Sequence, residues 1–401
     1  MNIAMFIEVY HPFINGVVTH VSMLRDSLIR QGHKVLIVTA DPDLKHHRIR
    51  DGILWCPAVS LKKIYGYGLA APLSSHRMKL LRAFQPDIIH IHNEFGVSLF
   101  GVYAAHKLRL PLVYTLHTMY DEYFHYMVKG KMTPVAKQTF YKYIRFLANR
   151  ADVIISPSKK AVKFFEECRV NKTVEIIPNT IDINTFNPQR FSSEETAAKR
   201  AEWNVAPTDL LGVFVGRLGQ EKSVDYLIEQ WNLFFQKDPR YKLLIVGEGP
   251  ERKPLEKLAE SYGLASRILF SGKIEHAEVP LYFASCDYFI SASLTEMMSI
   301  SMLEAQSMGL PAILRFDPQN DQQIREGING HLFHDGEEMA QTIRRLGGLS
   351  RDEIHTLHEG VRNSMLHAGS DENVSFILSL YERAAENYKT RHPSATDAVQ
   401  K

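Results

Sequence analysis

The stretch Leu210-Leu211-Gly212-Val213-Phe214-Val215-Gly216-Arg217-Leu218-Gly219-Gln220-Glu221-Lys222 carries the reading of the fold. Its first six residues are a continuous apolar run, the pattern of a strand covered on both faces. The run empties into a glycine-containing loop, and a helical pattern follows over Val224–Gln236. The loop holds two cations five positions apart. A guanidinium at Arg217 can fork onto two phosphate oxygens, and an ammonium at Lys222 acts as a point charge.

The same alternation continues on both sides. Downstream, strands are expected at Leu243–Val246, Ile268–Phe270 and Tyr288–Ser291, with helices at Pro254–Tyr262, Pro280–Ser285 and Met302–Met308. Upstream, strands are expected at Ile3–Ile7, Lys34–Thr39, Ile88–His92, Leu112–Leu116, Val153–Ser156 and Val174–Ile177. Helices at His20–Gln31, Arg77–Phe84, Thr133–Leu147 and Lys160–Glu167 lie between them. Repeated βα units predict parallel, doubly wound sheets. A chain of 401 residues exceeds what one core usually fills, so two domains are expected. Asn184–Asp209, polar and punctuated by Pro188 and Pro207, reads as the connection, and two helices, Arg351–Leu366 and Asp371–Tyr388, close the chain.

Composition narrows the class. An apolar fraction of 45% with 23% charged residues is that of a soluble globular protein. The three cysteines, Cys56, Cys168 and Cys286, follow no metal-ligand spacing and fit a reducing compartment. Met1–Val9 lacks the basic leader and cleavage site of a signal peptide, and no apolar run is long enough to span a bilayer. The expected location is cytoplasmic, peripheral on the inner face of the plasma membrane. Charge is uneven: residues 1–182 carry 24 Lys+Arg against 14 Asp+Glu, a net +10, which leaves 23 against 31 and a net −8 in the remainder. Such asymmetry points to an anionic partner on the basic side.

Ligands of open parallel sheets bind beyond the carboxyl ends of the strands, so the loops there are the place to look for chemistry. Asn15-Gly16-Val17 joins the first strand to a helix, where a glycine permits close backbone approach and the helix N-terminus favours a phosphate; a simple turn glycine fits this loop equally well. Thr115-Leu116-His117-Thr118 places His117 at a strand end. His90 and His92 share one strand face and, with no third ligand evident, read as packing or cleft-edge residues. Val246-Gly247-Glu248-Gly249-Pro250-Glu251-Arg252 fails as a dinucleotide fingerprint, because Arg252 stands at the last glycine position, yet the loop is expected to offer backbone amides to a ligand. The most specific signal is Glu296-Met297-Met298-Ser299-Ile300-Ser301-Met302-Leu303-Glu304. Each carboxylate accepts two hydroxyl hydrogen bonds, which suits a sugar or ribose diol.

Taken as an ordered set, Asn15-Gly16-Val17, the His117 segment, Ile177-Pro178-Asn179, Gly216-Arg217…Lys222, Gly247-Glu248-Gly249-Pro250 and Glu296…Glu304 resemble glycosyltransferase family 4, over nearly the whole chain. The resemblance implies a retaining enzyme of the GT-B fold, with two Rossmann-like doubly wound domains facing across a cleft. It implies an acceptor domain over 1–182, a nucleotide-sugar domain over 183–370, and a last helix over 371–389 packing back on the first. It implies that Arg217 and Lys222 hold the donor diphosphate with Gly16 nearby, and that Glu304 holds the ribose. Glu296 and the backbone at Met298, Ser299 and Ile300 would hold the sugar, and His117 would touch it near the anomeric carbon. No cofactor or metal is implied beyond the UDP-sugar substrate.

Two positions depart from the family pattern. Met297-Met298-Ser299 stands where a glycine-rich stretch is usual, and Asn179-Thr180 where Asn-Gly is usual. Within the family, Leu116–Tyr123 followed by Tyr126 looks most like bacterial diacylglycerol glucosyltransferases, which implies UDP-glucose as donor and a membrane lipid as acceptor. The charge pattern adds to this. Tyr123–Ala151 contains Lys129, Lys131, Lys137, Lys142, Arg145 and Arg150, no acid, and interleaved aromatic residues. That is the composition of a helix lying on anionic headgroups, with Lys62 and Lys63 as a second contact. A helix with one buried aromatic stripe and one solvated basic face fits it equally well. The same chemistry on a soluble acceptor, and a non-catalytic sugar-nucleotide-binding subunit, are the alternative readings; nucleic acid would explain the basic half but not the strand-end motifs.

Overall fold

The computed structural model describes residues 1–13, 15–61, 67–118, 133–294, 296–318, 323–365 and 370–392. The chain forms two compact units. Among the described residues, the first comprises those up to 118, 133–179 and 370–392, and the second those from 180 to 365.

The first unit is built on strands β1 (Asn2–Phe6), β2 (Lys34–Asp41), β3 (Arg48–Arg50), β4 (Ile53–Leu61), β5 (Tyr67–Ala70), β6 (Ile88–Ile91), β7 (Leu112–Thr115), β8 (Val153–Ser156) and β9 (Val174–Ile176). Their order is β3-β4-β2-β1-β6-β7-β8-β9, with β5 on β4. Every pair from β4 to β9 along this path is parallel, as in β1 on β6, where Ile3 faces Ile88 and Phe6 faces Ile91. The edge differs from the expectation of a wholly parallel sheet: β3 and β5 both pair antiparallel with β4. The last helix, Ser370–Arg391, lays Val374, Ile377, Leu380, Tyr381 and Ala384 into the core formed by β1, β2 and the helix Gly16–Arg30.

The second unit carries β10 (Leu210–Val215), β11 (Tyr241–Val246), β12 (Ile268–Gly272), β13 (Tyr288–Ser291), β14 (Ala312–Arg315) and β15 (Gly330–Phe333). All its pairs are parallel, in the order β12-β11-β10-β13-β14-β15. Numbered from β10, this is the 3-2-1-4-5-6 order of a dinucleotide-type fold, in which winding reverses between β10 and β13. In the first unit the reversal falls between β1 and β6. Helices cover the second sheet through residues such as Leu227, Ile228, Trp231 and Phe235 of Val224–Phe235, all essentially inaccessible to solvent.

The connecting stretch expected to be irregular contains a helix, Ser193–Glu202. It buries none of its residues. A capping box holds it instead: Glu195 N–H donates to Ser192 Oγ and Ser192 N–H to the Glu195 carboxylate. Acids in its first turn and bases in its last oppose the helix dipole.

Beneath the first sheet's switch point lies a buried carboxylate. Glu8, just after β1, accepts from Ala70 N–H at 2.9 Å and from Val97 N–H at 2.8 Å, tying β5 and the helix Gly96–Leu108 to β1. Gly96 sits at φ +37°, where a Cβ would strike the Glu8 carboxylate, so glycine is required there. Burial pushes the Glu8 pKa up to about 7, against the two amides and Arg77, which pull it down.

Candidate active site

In the second unit, the loops after β10 and β13 flank the switch point and carry Arg217, Lys222 and Glu296, the three side chains that the sequence singled out there. The Lys222 ammonium is ion-paired with the Glu296 carboxylate. Arg217, one loop turn earlier, is paired with the buried Glu221. The described site thus sets two cations beside two carboxylates. Both cations are therefore already paired within the protein. Ser293 Oγ donates to the Glu221 carbonyl at 3.2 Å, stitching the two loops together. Ser223, between Lys222 and the following helix, holds φ +49°, an uncommon conformation for a residue other than glycine.

Glu296 also lines a small cavity of about 30 Å³ with Ser291, Ser293, Ser299, Arg315 and Gln323. Ser299 is the N-cap of the helix Ile300–Ser307 and accepts from Met302 N–H at 3.3 Å. Met298, Ser299 and Ile300 therefore stand at a helix N-terminus, where backbone N–H groups lack intrahelical partners. Met297, in place of the glycine usual in the family, is buried, and its carbonyl accepts from Gln323 Nε2 at 2.7 Å.

Glu304 lies in the middle of that helix and is buried. Its Oε1 meets His276 Nε2 at 2.9 Å. Burial raises the Glu304 pKa and His276 counters it; the same contact raises that of His276. His276, which the sequence reading passed over, follows β12 and faces Phe186 with ring centroids 5.6 Å apart. Its only sequence signal was its place in the loop after a predicted strand.

The Gly247–Arg252 loop lies against the loop that follows β10. It serves as packing for its neighbour, and several of its amides are engaged. Gly247 N–H donates to Gly272 O at 3.0 Å, Glu251 N–H to Leu218 O at 3.1 Å and Arg252 N–H to Gly249 O at 3.1 Å. Gly247 has φ +145°, and a Cβ there would fall on the Gly216 carbonyl oxygen. The glycine thus lets the β11 loop press against the loop carrying Arg217 and Lys222.

In the first unit, Gly16 opens the helix Gly16–Arg30, and Asn15 caps it by accepting from Val18 N–H at 3.0 Å. His117 follows β7 and is half-buried, with Nε2 3.1 Å from Nδ1 of His92, which follows β6. His20, on the helix after β1, packs edge-on to His117. Each of the three imidazoles offers a ring nitrogen, and these nitrogens all lie within 4.8 Å of one another. Burial lowers the pKa of all three, to about 4 for His20 and well below the usual range for His92 and His117, with mutual repulsion adding at the latter two. The sequence shows no third ligand beside His90 and His92; the fold brings His117, at the next strand end, and His20, on the helix after β1, to His92 from 25 and 72 positions away. His90 is different. Its nitrogens meet Tyr381 Oη at 2.8 Å and Thr115 Oγ1 at 2.7 Å, so it fixes the last helix to the sheet.

The basic helix spans Pro134–Arg150. Ile144, Leu147 and Ala148 are buried, and Tyr143 Oη donates to the Glu94 carbonyl. Lys142, Phe146 and Arg150 are exposed, Lys137 and Arg145 half-exposed, and the Arg150 guanidinium stacks 3.6 Å over the Phe146 ring. Its aromatic residues therefore divide between an inner and an outer face. Lys62 and Lys63 lie outside the described residues.

Fold and strand-end chemistry define a class: a two-unit α/β transferase of the GT-B type. Among solved structures, Anabaena HepE in complex with UDP superposes with a TM-score of 0.72 at 19% identity, over 95% of this chain and 99% of that one. Sucrose-phosphate synthase of Thermosynechococcus elongatus gives 0.73 at 18%, over 95% and 98%. The description "Glycosyltransferase Family 4" matches residues 14–185, and "Glycosyl transferases group 1" residues 195–355. The alpha-monoglucosyldiacylglycerol synthase of Acholeplasma laidlawii is 31% identical over 86% of this chain and 87% of its own length; that of Streptococcus pneumoniae is 27% identical over 100% and 86%. A GDP-mannose-dependent alpha-mannosyltransferase of Corynebacterium glutamicum is 26% identical over 83% and 76%. The chain belongs to glycosyltransferase family 4 and is a glycosyltransferase.

Proposed function

We propose that the protein transfers glucose from UDP-glucose to the free hydroxyl of a diacylglycerol-like membrane lipid, with retention at the anomeric carbon. The observation that carries this reading is the 31% identity to an alpha-monoglucosyldiacylglycerol synthase over most of both chains. UDP-glucose is an α-linked donor, so an α-linked product such as that relative's name describes requires retention.

Residues 183–370 form the donor half in this reading. Arg217 and Lys222 leave Glu221 and Glu296 to neutralise the departing diphosphate, while Glu304 takes the ribose diol. Glu296, released from Lys222, accepts from sugar hydroxyls together with the amides at Met298–Ile300. The transition state is oxocarbenium-like, and fixed cations that meet charge as it grows lower the barrier. The diphosphate oxygen that leaves the anomeric carbon takes the acceptor's proton. Residues 1–182, with the helix 371–389, form the acceptor half, where His117 lies beside the sugar and Gly16 admits the phosphates. The exposed basic face of Pro134–Arg150 rests on anionic headgroups, as a peripheral attachment; among the described residues no helix is long and apolar enough to cross a membrane.

The test is to incubate the purified chain with UDP-glucose, other UDP-sugars and GDP-mannose in the presence of mixed lipid extracts, and to identify products by mass spectrometry. A monohexosyl diacylglycerol made from UDP-glucose alone is expected. A product on a water-soluble acceptor, or from GDP-mannose, overturns the assignment.

A further inference from the structure

The three-histidine cluster of the first unit has features that sugar transfer does not use. His20 and His92 are buried, and each keeps a ring nitrogen, His20 Nδ1 and His92 Nε2, with no hydrogen-bond partner among the described residues. Choice of tautomer does not remove the problem at His92. If its Nδ1 donates to His117, its Nε2 is an unmet acceptor; if its Nδ1 accepts, Nε2–H is an unmet donor. A polar atom left unpaired in a buried site is costly, so the unpaired nitrogen of His20 in a cluster of three imidazoles calls for a ligand; His92 enters the cluster through Nδ1, not through its unpaired Nε2.

Ring geometry identifies the kind of ligand. Imidazoles bound to one tetrahedral ion through bonds of about 2.0–2.1 Å hold their ring centroids about 5 Å apart and their bound nitrogens about 3.4 Å apart. The observed centroid separations are 5.0 Å for His20–His117, 5.4 Å for His92–His117 and 6.2 Å for His20–His92. His92 Nδ1 and His117 Nε2 already stand 3.1 Å apart. The three residues come from one helix and two adjacent strand ends, so the sheet fixes their mutual placement. An all-nitrogen set without a carboxylate selects a borderline transition ion over magnesium or calcium.

We propose that His20, His92 and His117 bind one Zn²⁺-type divalent transition-metal ion, at the carboxyl ends of β6 and β7. Three protein nitrogens leave a fourth position for water. The ion also immobilises His117. If His117 lies beside the transferred sugar, as the functional reading holds, the same ion slows transfer; metal binding itself does not depend on that reading.

The experiment uses the full chain without a histidine tag, stripped with a chelator, and titrated with Zn²⁺ against a chromophoric competitor. One ion per chain is expected, with His20→Gln and His92→Gln each weakening it at least tenfold, and the exposed His106→Ala leaving it unchanged. Co²⁺ added to the stripped wild type should give the intense visible band of tetrahedral coordination, and one equivalent of Zn²⁺ should abolish it. That reading needs no variant to fold. Absence of the band, or zinc affinity equal in wild type and folded His20→Gln, overturns the site. Zinc binding that leaves glucosyl transfer unaffected keeps the site and overturns only its link to His117.

Discussion

Lys222 and Glu296, 74 positions apart in sequence, are joined by an ion pair across the switch point of the second sheet. Glu296 holds the ammonium in place, so under the proposed function the charge that meets the diphosphate is already positioned and partly desolvated. Lys222→Ala should lower kcat by on the order of 10²-fold, about 3 kcal/mol, because the lost contact strengthens as the leaving group gains charge. Glu296→Gln should lower activity as well, and the double variant should lose less than the two single losses combined. Steady-state kinetics with UDP-glucose and dispersed lipid supply the four rates. Strictly additive losses would show that the pair does not act as one unit.

Much of this site was legible before the structure, but as separate residue types and not as pairs. Apolar runs ending in loops placed Arg217, Lys222, Glu296 and His117 at strand ends, since strand and loop chemistry is local. Partnerships are not local. His20 reads as one residue of an amphipathic helix and His276 as a loop residue, until parallel register brings them to His117 and Glu304. The helix Gly96–Leu108 escaped notice because its N-cap, Phe95, makes no side-chain cap bond and its faces are apolar nearly all round. Ser193–Glu202 escaped for the opposite reason: it has no buried face, and end effects alone hold it.

Gly247 provides a test of the loop packing that supports Arg217. Its φ of +145° and the Gly216 carbonyl beside it leave no room for a methyl group. Gly247→Ala should destabilise the protein by about 3 kcal/mol, through overpacking against backbone added to conformational strain. Gly263→Ala is the control: φ is +68°, but nothing lies within 4 Å of the added carbon. Strain alone predicts about 1 kcal/mol there. Urea unfolding monitored by tryptophan fluorescence separates the two, and equal losses would mean that the Gly216 contact contributes nothing.

Glu8 should make stability depend on pH in a particular direction. Its folded pKa of about 7 lies above the ordinary 4.5. Between those values the unfolded chain has released the proton and the folded chain still holds it, so stability falls as pH rises through this window and is flat on either side. The full effect is at most about 3 kcal/mol. Glu8→Gln keeps an uncharged group of the same shape and should remove this component of the slope, although an amide nitrogen facing Ala70 or Val97 N–H lowers the plateau. Denaturation series from pH 4.5 to 7.5 on both proteins give the difference. Parallel curves would show that Glu8 ionises normally when folded.

The outer face of Pro134–Arg150 tests the membrane reading. Lys142 is exposed and Arg145 half-exposed, whereas Ile144 between them is buried. Each cation near an anionic surface contributes about 1 kcal/mol at low salt, so Lys142→Ala with Arg145→Ala should weaken binding to phosphatidylglycerol-containing vesicles roughly 30-fold. The loss should shrink at high ionic strength, because the attraction is screened within a Debye length. Phe146→Ala removes apolar insertion instead, so its smaller loss should persist in salt. Vesicle flotation at two salt concentrations distinguishes the two contributions. Binding by the double variant equal to that of the wild type at low salt would leave the basic face as a solvated surface and move the search for the lipid contact to another part of the chain.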